Sequence, residues 1–210
     1  RRGARGEREP GAPVSDADDR ALIERHLAGD QTVFEALYRR HAAALYRTAL
    51  AMTRSASLAE ELLQEAFLSA FRHLDQVQLR RDASLRPWLR RILVNRIYDE
   101  WARRRPPLAE TETGIERMAA SGAVSPERQA EEGEVAHAVG DALARLPFKQ
   151  RVVATLYYLD DMDVQEIADL LGVPEGTVKS RLHYGRARLR TLLAADARVG
   201  FGAVPEAARA

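Results

Sequence analysis

The sequence predicts an all-α protein of two small helical bundles joined by a flexible linker, the second bundle containing a helix-turn-helix. Apolar residues recur with helical spacing almost throughout residues 18–105 and again through 125–196, whereas no stretch alternates as a half-buried strand does. Residues 106–124, between these stretches, contain a Pro-Pro pair, two glycines and scattered acids, a composition typical of flexible linkers.

The first bundle is predicted to contain four helices. The first covers about 19–28, the second begins near Asp30, and the third covers about 58–74. Proline suits the first turn of a helix, so the fourth is expected over 87–101, after a loop at 75–85 that lacks helical periodicity. The candidate core residues of this bundle are Phe34, Leu37, Tyr38, Leu45, Leu63, Phe67, Phe71 and Leu74.

The second bundle has a clear helix start at Ser125-Pro126-Glu127. This triplet combines a hydroxyl cap, a proline in the first turn and an acid near the positive end of the helix dipole. Residues 1–17 and 197–210 show no periodicity and are predicted to be disordered. Four helices are predicted in this bundle, near 127–144, 148–159, 163–171 and 175–194.

The last two predicted helices have the pattern of a helix-turn-helix. Gly172 provides the backbone freedom for the turn, and Pro174 suits the first position of the following helix. The apolar stripe of the first helix is formed by Val164, Ile167, Ala168 and Leu171, and that of the second by Val178, Leu182, Gly185, Leu189 and Leu192.

The second helix of this pair is strongly basic. Residues 175–194 contain five cations and one acid, while Thr177, Ser180, His183 and Tyr184 point away from the apolar stripe. Helix-turn-helix proteins read base edges with the first turns of the second helix, and cations hold the phosphates. The pattern therefore predicts binding to duplex DNA, and the alternative is a solvated basic helix at the end of a bundle.

The fourth helix of the first bundle carries another basic surface. Residues 80–105 hold nine arginines against three acids, whereas 106–142 hold eight acids against two arginines, so an acidic segment separates two basic blocks. Trp88, Asn95 and Asp99 share one face of this helix. The two polar residues either bond to neighbouring helices and fix the packing or meet a ligand such as an unstacked base. Aromatic residues interleaved with cations, as here, can hold single strands.

Composition excludes several classes of function. The chain has no cysteine, which excludes disulfides, zinc fingers and thiol catalysis. No apolar run approaches the roughly 20 residues of a membrane-spanning helix. The five histidines lack metal-ligand or His-acid spacing, and the sequence has no phosphate-cradling glycine loop. No catalytic residue, metal site or cofactor is therefore expected.

The two halves together resemble one family. The motifs that carry the resemblance are residues 59–67 (AEELLQEAF), 87–95 (PWLRRILVN) with Asp99, Leu146-Pro147, 166–168 (EIA) and 176–182 (GTVKSRL). In this order they are highly specific for the group IV (extracytoplasmic-function, ECF) RNA polymerase sigma factors of the sigma-70 family. The resemblance covers about residues 18–194. It implies a non-enzymatic protein that gives core RNA polymerase its promoter specificity, and an anti-sigma factor that competes for the polymerase-binding surfaces.

For the first bundle, the resemblance implies a sigma region 2 domain over residues 18–105. Glu61, Gln64 and Glu65 would dock this domain on the clamp helices of core polymerase. The loop at 75–85 would capture a flipped base of the −10 element, and the basic helix would hold the separated strand. The residues expected at the −10 element are Asp75, Gln76, Gln78, Arg80, Arg81, Trp88, Asn95, Arg103 and Arg104.

For the second bundle, the resemblance implies a sigma region 4 domain over residues 125–196. This domain would bind the −35 element of promoter DNA and sit on the polymerase flap. Arg181 lies at the edge of the apolar stripe, so an internal ion pair with Glu166 is preferred to base contact for that residue. The residues expected at the −35 element are Glu175, Thr177, Lys179, Ser180, Arg181, His183, Tyr184 and Arg186.

Two other functions are compatible with parts of the sequence. A helix-turn-helix regulator that acts without polymerase would explain residues 127–194, but it would leave Gln64 and Glu65 without a role. A helical adaptor that binds only proteins would leave the basic second helix unexplained. The sigma-factor hypothesis accounts for both halves and places the protein in the bacterial cytoplasm, at the nucleoid when it is bound to polymerase.

Overall fold

The computed structural model describes residues 19–77, 84–104 and 133–196. These residues form eight α-helices and one short 3₁₀ helix, with no strand among them, which confirms the all-α prediction. No helix in the described ranges combines the length and the apolar character needed to span a membrane. The helices are α1 (Asp19–Leu27), α2 (Val33–Thr53), α3 (Ala56–Arg72), α4 (Arg86–Arg104), α5 (Gly133–Ala144), α6 (Phe148–Tyr158), α7 (Val164–Leu171) and α8 (Glu175–Ala194), with the 3₁₀ helix at Leu74–Gln76.

The helix bounds agree with the predicted ones to within about three residues, apart from the start of the helix predicted at 127–144, which lies outside the described residues. α3 begins before its predicted start because Ser55 caps it, its hydroxyl oxygen accepting a hydrogen bond from the Leu58 amide at 3.4 Å. The beginning of the predicted loop at 75–85 belongs to the 3₁₀ helix. The predictions for residues 1–17, 78–83, 106–124, 125–127 and 197–210 concern residues outside the described ranges.

The core of the first bundle lies between α2, α3 and α4. Phe34, Tyr38 and Phe71 are only half-buried, and they pack as an aromatic cluster at the edge of this core. The Phe34 and Phe71 rings meet edge to face with centroids 5.4 Å apart, and the Tyr38 ring lies 4.9 Å from that of Phe67. The predicted core residues that are buried are Leu37, Leu45, Leu63, Phe67 and Leu74.

The buried face of α4 differs from the predicted one. Leu89, Leu93 and Ile97 form the buried stripe, whereas Asn95 and Asp99 are exposed. The alternative in which these two polar residues fix the packing inside the bundle is therefore wrong. The apolar stripe is shifted by about one residue, and this shift turns Asn95 and Asp99 toward solvent.

A buried carboxylate joins three helices of the first bundle. Asp19, the first residue of α1, is only 2% exposed. Its Oδ2 atom accepts hydrogen bonds from the Leu85 amide (2.5 Å) and the Ser84 hydroxyl (3.0 Å), directly before α4. Its Oδ1 atom lies 3.0 Å from His41 Nε2 and 3.2 Å from Arg40 Nε on α2. Burial raises the pKa of Asp19, but the bonds from His41, Leu85 and Ser84 outweigh burial and lower the pKa to about 2.

The predicted helix-turn-helix is confirmed at α7 and α8. A capping box starts α7, since the Asp163 carboxylate accepts from the Glu166 amide and the Glu166 carboxylate accepts from the Asp163 amide. Gly172 ends α7 with a φ of +63°, the left-handed conformation that glycine adopts most readily. The observed stripe of α8 is the predicted one with a single change at its end, where Leu193 is buried and Leu192 is half-buried.

The two bundles are in contact with each other. α6 packs against α2 and α4, and α5 also packs against α2. The larger apolar core therefore includes buried residues of both bundles. The two helical regions were predicted, but the contact between them was not. The periodicity of a helix shows which face is apolar, and it does not show which distant helix packs on that face.

We expect Asp19→Asn to destabilise the first bundle, since it removes the charge at nearly constant size. Because folding lowers the pKa of Asp19 from 3.8 to about 2, the carboxylate contributes stability above about pH 4 and loses it as the pH falls toward 2. The variant should have a free energy of unfolding lower by about 2 kcal/mol at neutral pH. Chemical denaturation followed by circular dichroism measures this, with exposed Glu60→Gln as the control. A deficit that does not shrink below pH 4 would contradict the role of the charge.

Candidate polymerase and nucleic-acid interface

One exposed face of α3 brings together the residues predicted to dock on polymerase. Glu61, Gln64 and Glu65 are all exposed, and their spacing of three and four residues places them side by side. Leu68, one turn further along the same face, is 51% exposed. Leu68 therefore extends the exposed acidic face with an apolar side chain. Leu68 was not among the predicted residues, although its spacing of four residues from Gln64 places it on the same face.

The described residues predicted at the −10 element lie before and after the segment 78–83. Asp75 and Gln76 are exposed on the 3₁₀ helix. Gln78, Arg80 and Arg81 lie outside the described residues. The structure therefore places the described members of this set at the end of the 3₁₀ helix and along α4.

Trp88 is half-buried at the start of α4. With apolar neighbours such as Phe67 and Phe71, its side chain lines a small cavity of about 10 Å³. That volume has room for at most one water molecule, which is far too little for a nucleobase. In this arrangement the indole ring packs on the core of the bundle, and the exposed polar face of α4 begins beyond it.

Asn95, Arg103 and Arg104 extend along the second half of α4. Asn95 is exposed, and the two arginines lie at the end of the helix. Both arginines pair with Glu100, whose own side chain is buried, yet the arginine side chains remain 75% and 55% exposed. Cations are favoured at the negative end of a helix. Glu100 therefore holds both guanidinium groups in place while leaving them accessible to phosphates.

Two aromatic residues of α4 are covered by the second bundle. The Trp101 ring stacks on that of Phe148 in α6, with centroids 4.6 Å apart and planes 10° from parallel. The Tyr98 ring meets Phe148 edge to face at 5.2 Å. Burial raises the pKa of Tyr98, and the nearby charge of Arg181 opposes that rise. Neither aromatic ring is free to stack on a nucleic-acid base in this arrangement.

The outer face of α8 presents half of the residues predicted at the −35 element. Lys179, Ser180, His183 and Tyr184 are exposed on adjacent turns, and Tyr184 is 63% exposed. Lys179 Nζ lies 2.8 Å from the carboxylate of Glu175, one turn before it. The other residue predicted in the first turn of this helix, Thr177, is half-buried. These side chains form a continuous polar strip at the first turns of the second helix of the helix-turn-helix.

Two arginines of α8 are placed differently from the prediction. The ion pair predicted between Arg181 and Glu166 is wrong, because the Glu166 carboxylate belongs to the capping box of α7 and no ion pair joins these residues of the described chain. Arg181 is half-buried near Tyr98 instead. Arg186 donates a hydrogen bond from Nε to the Tyr158 hydroxyl at 3.0 Å, so it also ties α8 to α6.

Further cations follow along α8. Arg188 and Arg190 are exposed in its second half, although neither was among the residues predicted at the −35 element. The exposed surface of α8 is thus basic over most of its length, whereas the exposed face of α3 is acidic. The exposed faces of α3 and α8 therefore carry charges of opposite sign.

Comparison with known families assigns both bundles. The family described as "Sigma-70 region 2" matches residues 37–106, and the one described as "Sigma-70, region 4" matches residues 136–189. These ranges contain the acidic face of α3 and the helix-turn-helix, respectively.

Relatives similar over most of the chain carry one family name. The chain is 37% identical over 179 residues to the ECF RNA polymerase sigma factor SigM of Mycobacterium tuberculosis, covering 83% of this chain and 84% of the relative. It is 32% identical over 179 residues to the ECF RNA polymerase sigma factor SigW of Bacillus subtilis, covering 81% and 94%. Among solved structures, CnrH in complex with the cytosolic domain of CnrY matches with a TM-score of 0.57 and 28% identity, covering 85% of this chain and 98% of that one.

Both halves of the fold, in the order found here, therefore correspond to the two sigma-70 regions. The identity to relatives extends across both of them. The chain belongs to the ECF RNA polymerase sigma factors, which bind core RNA polymerase and direct promoter recognition and the initiation of transcription.

Proposed function

We propose that this sigma factor divides promoter recognition between α3, which docks on core polymerase, the α4 region, which binds the opened −10 strand, and α8, which reads the −35 duplex. The observation that carries the proposal is the charge separation between the exposed acidic face of α3 and the exposed basic face of α8. An acidic face repels DNA and suits a basic protein surface, whereas a basic face attracts phosphates. The sigma factor has no catalytic step of its own and needs no cofactor.

Docking on the polymerase clamp is assigned to Glu61, Gln64 and Glu65. Leu68 extends this face with an apolar side chain, which a bound partner would remove from water. The surrounding charges guide association and fix the register of the partner. The second bundle is assigned to the polymerase flap, so that both domains are held by the same enzyme.

Binding of the −10 strand is assigned to the exposed face of α4 and to the residues before it. Asn95 offers an amide that can bond to the edge of an unpaired base, and Arg103 and Arg104 can hold phosphates. Flipping a base out of a duplex costs a few kcal/mol, which stacking and edge hydrogen bonds in a pocket can recover. Strand opening is then favoured at sequences whose flipped base fits.

Recognition of the −35 duplex is assigned to α8. Ser180, His183 and Tyr184 lie where base edges are read by helix-turn-helix proteins, and Lys179 lies beside them for a phosphate contact. Each of the two DNA contacts is small, but a tether and a shared polymerase raise their effective concentration. The free sigma factor should therefore bind promoter DNA weakly.

An anti-sigma factor is the proposed regulator. The related CnrH was solved in complex with the cytosolic domain of CnrY, and a protein that covers the α3 face would block docking on polymerase. Because the partners are polymerase and the chromosome, we place this sigma factor in the bacterial cytoplasm, at the nucleoid during initiation.

The division of roles can be tested by run-off transcription from a pool of random promoters, with purified core polymerase and with or without the protein. We expect new transcripts whose templates share two spaced sequence elements. Binding of the protein alone to duplex DNA, with no new transcripts, would favour a regulator that acts without polymerase.

The α3 face provides a first variant. We expect the double variant Gln64→Ala/Glu65→Ala to bind core polymerase about tenfold more weakly, because it removes contacts at the centre of the docking face. Both residues are exposed, so the thermal unfolding midpoint should stay the same. Affinity measured by fluorescence anisotropy reports the effect, with exposed Glu24→Ala on α1 as the matched control. Equal affinity of variant and parent protein would exclude this face from docking.

Lys179 provides a second variant, now for the −35 duplex. If Lys179 contacts a phosphate, Lys179→Ala should weaken binding of the holoenzyme to different −35 sequences by a similar factor. It should also reduce the slope of log affinity against log salt by about one. Exposed Arg39→Ala on α2 is the control and should leave the slope unchanged. A loss confined to one sequence would instead indicate that Lys179 reads a base.

A further inference from the structure

Two backbone amides at the start of α4 find their partners in side chains. Leu85, the residue directly before α4, is fully buried, and its amide donates a hydrogen bond to the Asp19 carboxylate at 2.5 Å. The Ser84 hydroxyl donates to the same oxygen of Asp19 at 3.0 Å and accepts a bond from the Arg86 amide at 3.1 Å. Amides at a helix start have no partners within the helix, so Asp19 and Ser84 satisfy a requirement that α4 cannot meet by itself.

The other oxygen of Asp19 is held on α2. It lies 3.0 Å from Nε2 of His41, which is only 1% exposed, and 3.2 Å from Nε of Arg40. One buried carboxylate thus contacts α2 with one oxygen and the start of α4 with the other. Hydrogen bonds to a carboxylate are short and directional, so these contacts fix the start of α4 relative to α2. We define the α4 anchor as Asp19, His41, Ser84 and Leu85.

The apolar stripe of α4 constrains the helix in a different way. Leu89, Leu93 and Ile97 are buried in the core of the first bundle. Burial of apolar surface is non-directional, so these contacts resist separation of α4 from the bundle more strongly than they resist a small tilt. The directional contacts described at the first turn of α4 belong to the α4 anchor. The orientation of α4 therefore depends on the anchor as well as on the stripe.

A small movement at the anchor becomes larger along α4. Asn95 lies about 15 Å from Leu85 along the helix axis, and Arg103 lies about 27 Å from it, at 1.5 Å per residue. A tilt of about 10° at the start of α4 would therefore move Arg103 by roughly 5 Å. Binding groups have to be held to within about 0.5 Å of their working geometry. The residues assigned to the opened strand are thus sensitive to a contact near the opposite end of their helix.

We propose that Asp19 is a positioning residue for opening of the −10 element, because the α4 anchor holds the strand-binding face of α4 in the geometry that binds the separated strand. Asp19 and His41 are buried, so they act through the exposed residues of α4 and not by touching DNA. This role rests on the strand-binding function proposed for α4. Docking on polymerase is assigned to exposed residues of α3, so it should not depend on the anchor.

The exposed anchor residue, Ser84, gives the first variant. Ser84→Ala removes the bond to Asp19 and the bond from the Arg86 amide without opening a cavity in the core. Opening is followed by the fluorescence of 2-aminopurine placed in the −10 element of a promoter selected from the random pool, with the full chain and core polymerase. We expect opening to be about tenfold slower than with the parent protein, at unchanged affinity for core polymerase. Ser84→Thr keeps the hydroxyl and should open the promoter at the parent rate.

A double-mutant cycle tests whether Asp19 and Ser84 act together. Asp19→Asn should also slow opening when it is measured well below the unfolding temperature of the variant, because it weakens the bonds to Leu85, Ser84 and His41 together. If both residues act through one anchor, the defect of Ser84→Ala/Asp19→Asn should be smaller than the product of the two single defects. A defect equal to that product would show that the two residues act independently, and it would overturn the anchor as a unit.

Asp30 provides a matched control for loss of stability. Its carboxylate accepts hydrogen bonds from the amide and the hydroxyl of Thr32, at 2.9 and 2.7 Å, directly before α2. It also pairs with Arg25 of α1 at 2.7 Å. Asp30→Asn therefore weakens a carboxylate at the start of another helix of the same bundle, and it should leave the rate of opening unchanged. An opening defect in Asp30→Asn as large as that in Asp19→Asn would reduce the role of Asp19 to general stability.

A promoter whose −10 region is already unpaired by mismatches separates opening from other defects. The cost of separating the strands is then absent, so at saturating promoter Ser84→Ala should produce transcripts at nearly the parent level. An equal defect on paired and mismatched promoters would overturn the positioning role. Opening at the parent rate in both Ser84→Ala and Asp19→Asn would overturn it too. If the parent protein with core polymerase opens no promoter, the proposed function itself is wrong and the positioning role with it.

Discussion

Buried helix ends must find hydrogen-bond partners, and this constraint governs how the helices of this sigma factor are arranged. The first amides and last carbonyls of a helix have no partners within it, and leaving them buried and unpaired is costly. Asp19 satisfies the start of α4 from the start of α1, and Arg151 satisfies the ends of α2 and α5 from within α6. Both side chains are almost completely buried. Each side chain pairs a helix end with a residue far away in the chain, and it thereby fixes the position of one helix relative to another.

The surfaces available to partners follow from this arrangement. Once Leu89, Leu93 and Ile97 are turned into the core, Asn95 must face solvent. In the same way, the buried stripe of α8 leaves its polar and basic side chains on the outside. The acidic face of α3 is likewise exposed. In the proposed function, polymerase and DNA are therefore bound at different helices, by charges of opposite sign.

Contact between the bundles covers two aromatic residues of α4. Tyr98 and Trp101 lie among arginines, a pattern suited to binding single strands, yet in this structure both rings pack on Phe148. The ion pair of Arg90 and Asp160 adds to this contact between the bundles, and breaking a buried pair leaves an uncompensated charge.

The helices, the helix-turn-helix, the charge of each surface and the family could be predicted from the sequence, because they depend on periodicity, turn residues and motifs that are local in the chain. The exposure of Glu61, Gln64 and Glu65 on α3 and of Lys179, Ser180, His183 and Tyr184 on α8 follows from the same local patterns. Packing between distant segments sets which other polar residues have partners. It turned Asn95 and Asp99 outward and buried Asp19 and Arg151 against distant helix ends, whereas the Asp163–Glu166 cap is a local pattern that was overlooked. The contacts of Asp19 and Arg151 join residues separated by as many as 99 positions, and local spacing contains no information about them.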